Sequence, residues 1–309
     1  MKKLLKRAAI TVGVLLLLLN ILLISQAYYF THYFPLPQGE QPPSKASLTS
    51  LLLGKKAYKK PITQFLKIPY TTVQITTADG EQLQAWHAIQ NARAATVILF
   101  HGHSSNKGAI VPEAQQFYKL GYNLLLVDFR AHGASSGNNC SIGYFETRDV
   151  AAAYRYIEQQ TAEPIILWGI SLGAATIIKT VADSSLHPSH VIAEMPFASL
   201  HQAVKGFLRN QHLPQEPLAT LLCLWGGAWQ GFNAFNHQPF KSATKLTMPV
   251  LVQWGQQDPR VSEAETNTIF EHIASQQKKL KVYPMAGHVS LWKNDSTTWK
   301  TTIQQFLKK

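Results

Sequence analysis

The stretch 165-IILWGISLGAA-175 runs four apolar residues straight into Gly-Ile-Ser-Leu-Gly, with small residues after it. A short continuous apolar run reads as a strand buried on both faces, and the small residues that follow read as a tightly packed helix. A lone serine, Ser171, therefore stands between Gly169 and Gly173 at a strand-to-helix junction. A glycine-rich turn of this composition also arises by chance. Its meaning depends on whether the rest of the chain supplies a base, an orienting acid and an anion-stabilising loop.

Outward from this junction, the chain alternates strands and helices. The segment 72-TVQITTADGEQLQAWHAI-89 alternates around Asp79-Gly80, which predicts an antiparallel hairpin. Thr96 to Phe100, Asn123 to Arg130, "HVIAEMPF", "PVLVQWG" and "LKVYPMAGH" predict further strands. Helices are predicted over Pro112–Leu120, Tyr144–Gln160, the segment after Ser171, and Ser296–Phe306. Such an alternation implies an α/β domain with a mostly parallel central sheet and helices on both faces. Ligands bind beyond the carboxyl ends of such strands, so the residues there are the ones to inspect.

His101-Gly102-His103 follows the first of these strands, and Asp128 opens "DFRAHGASSG" after the second. Ser171 follows "IILW", Asp258 follows "VLVQWG", and His288 follows "LKVYPMAG". A hydroxyl, an acid and an imidazole thus share one sheet edge in the chain order Ser, Asp, His. From about residue 70 onward the chain resembles the serine α/β hydrolases, in particular their lysophospholipase-like and serine-aminopeptidase-like members. The matching residues are "HG", "D-x-R-x-x-G-x-S", "G-x-S-x-G", a "P-V-L…G…D" strand and the late "G-H". These motifs are specific for fold and mechanism and uninformative about substrate, because this fold hosts many activities.

The resemblance implies a triad. Ser171 would be the nucleophile, His288 its base, and Asp258 the acid orienting the imidazole. Among the chain's twelve histidines, only His288 follows the last predicted strand behind a glycine; His101 reads as part of a structural turn. Asp128 and Glu194 are rival acids, with Asp128 read as pairing locally to Arg130 or to backbone amides. The backbone N–H groups of Leu172 and His103 would form the oxyanion hole. The His103 ring is expected to face solvent.

The chain of 309 residues is 46% hydrophobic and 15% charged, a globular composition. Lys and Arg number 29 against 17 Asp and Glu, but they are scattered, and no helix carries a basic stripe. Nucleic acid is therefore discounted as a partner, and a membrane-facing reading fits better. Cys140 and Cys223 allow one bridge or two buried thiols, and exclude a disulfide scaffold. No cofactor motif is present and no metal site is expected.

Lys2, Lys3, Lys6 and Arg7 precede the apolar run Ala8 to Ile24, broken only by Asn20. This reads as an uncleaved signal anchor over 1–30, with Tyr28, Tyr29 and Phe30 at the interface and the remaining chain on the non-cytoplasmic side. The alternative is a signal peptide cut after Ala27, giving a secreted or periplasmic protein. Residues 31–67 read as a linker with a short helix, and 68–309 as the hydrolase domain.

About fifty residues separate the strands ending near Pro196 and starting at Pro249, more than a simple crossover needs. The insertion, about 198–248, includes the apolar "LATLLCLWGGAWQGFNAF" and is read as a small helical lid, with Gly226, Gly227 and Gly231 as a hinge. An apolar lid favours lipid-like esters or thioesters of apolar acyl groups. A peptidase or amidase of the same fold, and a catalytically silent membrane-tethered binding domain, are the alternatives.

Overall fold

The computed structural model describes residues 1–36 and 54–308. A long helix α1 (Lys2–Thr31) leads into a two-residue strand β1 (Tyr33–Phe34), which pairs in parallel with β2 (Ala57–Tyr58). Of the stretch read as a short helix, residues 48–53 lie outside the described residues. Residues 54–66 hold no helix: β2 and an extended run to Pro61 and beyond occupy them.

The main sheet has eight strands. In chain order they are β3 (Thr71–Thr76), β4 (Gln82–Ala88), β5 (Thr96–Phe100), β6 (Asn123–Val127), β7 (Ile165–Ile170), β8 (His190–Glu194), β9 (Val250–Gly255) and β10 (Lys278–Tyr283). Their spatial order is β10-β9-β8-β7-β5-β6-β4-β3. The β3–β4 hairpin is antiparallel and β4 runs antiparallel to β6, while every pairing from β6 to β10 is parallel.

Alternation along the central strands builds two cores. Ile98 and Phe100 of β5 point to one face, with Leu125, Leu167 and Val252. That face is covered by α3 (Thr147–Glu158), α4 (Leu172–Asp183) and α8 (Glu263–His272), through Tyr154, Ile177 and Ile269. Val97 and Leu99 point to the other face, covered by α2 (Val111–Lys119) and α9 (Ser296–Leu307) through Phe117 and Trp299. Burial on both faces explains why β5 and β6 read as unbroken apolar runs rather than alternating ones.

The segment between β8 and β9 holds two substantial helices, α5 (Leu200–Asn210) and α6 (Leu218–Gln230), and a short one, α7 (Pro239–Ser242). Two of its glycines are accounted for locally. A side chain on Gly227 would run into the Phe232 carbonyl at 2.5 Å, and Gly231 caps α6 in the left-handed conformation. Cys140 and Cys223 are buried free thiols.

Helix α1 has two parts. Ala8 to Ile21 is largely exposed and, apart from Thr11 and Asn20, apolar, a length of roughly 21 Å at 1.5 Å per residue, with Lys6 and Arg7 just before it. Beyond it, Leu23, Ala27 and Thr31 form a buried stripe at helical spacing, and α1 packs along α6. Asn20 marks the change: its side-chain oxygen accepts from Trp225 Nε1 at 3.0 Å, while its amide donates to Leu16 O. The aromatic residues expected at a membrane interface are engaged with protein here. Tyr28 meets Trp229 edge-on at 5.0 Å, and Phe30 packs against Phe207 at 4.7 Å.

Asp128, at the end of β6, is fully buried, and its partner is Lys107 at 2.5 Å, itself fully buried. Of its two expected partners, Arg130 does not pair with it, whereas backbone amides do. Arg130 turns instead to Asp79 in the hairpin turn and Asp149 on α3. Asp128 also accepts from the amides of Lys107 (2.7 Å) and Ala134 (2.9 Å), so it ties the loop after β5 to the loop after β6. Lys107 lies far from Asp128 in sequence and outside every motif, which is why the sequence does not announce it. Removing one partner strands a buried charge, so Asp128→Asn and Lys107→Met are each expected to cost about 3–5 kcal/mol. Chemical denaturation checks this; the double variant should recover much of the loss.

Candidate active site

Ser171 follows β7 and caps α4 with φ 53° and ψ −111°, a backbone region that L residues avoid. The flanking glycines are required by contact. A Cβ on Gly169 would lie 2.6 Å from the Gly173 carbonyl carbon, and one on Gly173 would lie 2.4 Å from Phe100 O. Strand and helix therefore close around the serine with no room for side chains. The Ser171 amide is held by Glu194 O on neighbouring β8 at 2.7 Å.

His288 stands after β10, and its Nε2 lies 2.9 Å from Ser171 Oγ. Its Nδ1 lies 2.6 Å from Asp258 Oδ2. The other Asp258 oxygen accepts from the amides of Arg260 (2.7 Å) and Val261 (2.9 Å), which fixes the carboxylate plane. The Asp258 side chain is fully buried, while the His288 ring is 13% exposed. Two residues past the imidazole, the Ser290 hydroxyl donates to Glu113 on α2 and anchors the loop carrying His288.

The rival acids lie elsewhere. Asp128 is committed to Lys107. Glu194 is buried behind the turn, where one oxygen accepts from Trp168 (3.0 Å), Trp299 (2.6 Å) and Gln253 (3.0 Å). Burial, reinforced by nearby Glu113, pushes its carboxyl up to about 8, so Glu194 is a proton carrier at neutral pH and no orienting anion.

Gly102 lies directly against the serine, since a Cβ there would sit 3.6 Å from Ser171 Cβ. The amides of Leu172 and His103 flank that point, and neither is spent on another partner among the described residues. Leu172 opens α4, so its N–H also carries the positive end of the helix dipole. The His103 ring does not face solvent. It stacks on Phe30 at 4.9 Å, and its Nε2 meets the Tyr33 hydroxyl at 2.9 Å. Burial lowers its pKa to about 3, which keeps it neutral.

Two further histidines brace this loop. His101 Nδ1–H donates to Gly102 O (2.7 Å), and its Nε2 accepts from Phe129 N (3.1 Å). His132 Nδ1–H donates to Arg130 O (2.9 Å), and its Nε2 accepts from Ser104 N (3.2 Å). Each accepts on one nitrogen and so must be neutral, in keeping with pKa values lowered by burial to about 4 and about 3. Tyr33, just past α1, bonds both His103 and Ser104 (2.6 Å). No sequence signal marks Tyr33, because its partners stand some seventy residues away. Among the described residues no group of three His, Cys, Asp or Glu side chains is placed to hold a metal.

The strained serine and the buried carboxyl each make a measurable difference. Ser171→Gly relieves the backbone while Ser171→Ala does not, so Gly should be the more stable variant by about 1 kcal/mol in denaturant titration. Glu194 has a folded pKa above its unfolded value, so its contribution is fully present below the unfolded pKa and is lost as pH rises through about 8. Glu194→Gln should therefore gain on the wild type between about pH 4.5 and 8, with a slope of up to about 1.4 kcal/mol per pH unit. A pH-independent difference would contradict a raised pKa.

A family model described as serine aminopeptidase, S33, matches residues 91–224 and 211–295. The chain is 26% identical to the uncharacterized protein YqkD of Bacillus subtilis over 247 residues, 79% of this chain and 81% of that protein. It is 25% identical to monoglyceride lipase of Rattus norvegicus over 259 residues, 72% of this chain and 85% of the relative. An uncharacterized membrane protein of Saccharomyces cerevisiae, YNL320W, is 22% identical over 72% of this chain and 74% of its own length. Among solved structures, an esterase of Pyrococcus furiosus superposes with a TM-score of 0.66 at 24% identity, covering 81% of this chain and 98% of the esterase. With a parallel sheet, a serine on the turn after its central strand and a family match over most of its length, the chain belongs to the serine aminopeptidase family of α/β hydrolases.

Proposed function

We propose that this chain is a serine hydrolase, anchored in a membrane, that cleaves carboxylic esters or thioesters of apolar acyl groups. The observation that carries the reading is the placement of His288, whose two ring nitrogens reach Ser171 Oγ at 2.9 Å and Asp258 at 2.6 Å. In this reading Ser171 Oγ attacks the carbonyl carbon and its proton passes to His288 Nε2. Asp258 stabilises the imidazolium, and the Leu172 and His103 amides receive the negative charge on the carbonyl oxygen. Collapse breaks the bond to the leaving group, which takes the proton from His288. Water, deprotonated by the same imidazole, then releases the acid from Ser171.

An ester in place of a peptide is favoured by the surroundings of the lid: α6 presents Leu, Trp and Gly, and α5 presents Val204 and Phe207 toward α1. Residues 198–248 act as the lid in this reading, residues 1–30 as the anchor, and residues 68–309 as the hydrolase domain. The basic flank before the apolar run sets the domain on the non-cytoplasmic side.

A fluorophosphonate probe tests the reading on the full chain in detergent. It should attach at Ser171, and Ser171→Ala should abolish both labelling and ester turnover. His288→Ala should fall almost as far, and Asp258→Asn by about 10³–10⁴-fold in kcat with folding retained. A folded wild type that takes up no probe would instead mark a binding domain, and faster cleavage of amides than esters would mark a peptidase.

A further inference from the structure

The docked end of α1 encloses space together with the lid. Ala27 and Phe30 of α1, Val204 and Phe207 of α5, and Leu222 and Gly226 of α6 line an apolar cavity of about 180 Å³. Ile142 also lines it, and Lys55 is the one charged residue among the described lining residues. At roughly 30 Å³ per water-sized group, the cavity holds on the order of six methylene-sized groups. A cavity with such a lining offers water few partners, so its natural occupant is hydrocarbon.

Two observations connect this cavity to the reacting centre and to a bilayer. Phe30 lines it on one side and stacks at 4.9 Å on His103, the neighbour of Gly102, which lies against Ser171. Its other connection is α1 itself: the helix that walls the cavity continues without a break into the exposed apolar stretch from Ala8 to Ile21. The cavity and the exposed apolar stretch thus share one helix.

We infer that the cavity between α1 and the lid helices is the acyl subsite of the hydrolase, with the membrane helix as one of its walls, and that its occupant is the chain of a single-chain lipid ester taken from the bilayer. The inference deepens the ester-hydrolase reading and rests on it. It makes the N-terminal helix part of the substrate site, so cleavage after Ala27 would open the cavity. Each methylene buried there strengthens binding about fourfold, until the space is filled.

Gly226 gives a direct test, because a side chain built on it meets only Ala27 Cβ, at 3.8 Å, and otherwise projects into open space. The full chain in phosphatidylcholine nanodiscs is assayed with para-nitrophenyl acetate and para-nitrophenyl octanoate. The wild type should prefer octanoate. Gly226→Leu, from the lid side, and Ala27→Leu, from the α1 side, should each lower the octanoate-to-acetate ratio of kcat/KM at least tenfold. Leu224→Ala, on an exposed position of the same lid helix, should leave the ratio unchanged. Should Ala27→Leu fail to fold, Gln26→Leu on the same wall replaces it. An unchanged ratio in Gly226→Leu overturns the subsite, and an unchanged ratio in the α1 variant alone overturns the role of the membrane helix. If the wild type cleaves neither ester, the hydrolase reading fails by itself, and the cavity is judged by binding of 11-(dansylamino)undecanoic acid. Saturable binding weakened at least tenfold by Gly226→Leu keeps the pocket; no binding, or equal binding, removes it.

Discussion

The molecule is organised by a contact that leaves no space: β7 and α4 approach so closely around Ser171 that neither Gly169 nor Gly173 can carry a side chain. That approach forces the serine into a left-handed conformation and lifts its hydroxyl out of the sheet edge toward His288. The cost of such a backbone, of order 1–3 kcal/mol, persists only because its surroundings over-determine it. Here they do so through the sheet bond to Glu194 O, the glycine contact with Phe100 O, and two cores packed on either face.

Around that turn, charge and neutrality are distributed with some economy. Buried ionic groups brace the loops at a distance: Lys107 with Asp128, and Arg130 with Asp79 and Asp149. Close to the serine, the bracing groups are neutral. His101, His103 and His132 are held uncharged by burial, and each satisfies a loop without adding a positive charge beside Ser171 and His288.

Much of the sheet was legible because buried parallel strands announce themselves as short apolar runs, and the residues just after them are forced to one edge. Ser171, Asp258 and His288 could be picked out for that reason, before any distance was known. What stayed hidden had no local signature. Lys107 reads as one more surface lysine until its carboxylate partner is seen, and Arg130 looks like the natural mate of Asp128 until the hairpin turn brings Asp79 to it. The contact at Gly227 and the left-handed cap at Gly231 had no signature beyond glycine itself. Helix α1 was legible only as an apolar run; that its last turns belong to the domain depends on a stripe of three residues and on Asn20, which interrupts the run. The extended run after Gly54 defeated a helical reading, because β2 is shaped by its pairing with β1 rather than by its own propensity.

The Asn20–Trp225 hydrogen bond changes what kind of object the N-terminal segment is. A generic tether can be exchanged for any other span of equal length, since only its hydrophobicity matters. This one is keyed. Asn20, Leu23, Ala27, Phe30 and Thr31 fall on successive turns and match features of the folded domain, and Tyr33 follows at a fixed distance to reach the loop beside the serine. Register along the helix matters in addition to length. An insertion of one residue between Asn20 and Tyr33 would rotate the residues before it by about 100° relative to those after it, so the two sets could no longer fit the domain together. Transplanting the domain onto a foreign span would deprive it of part of its own interior.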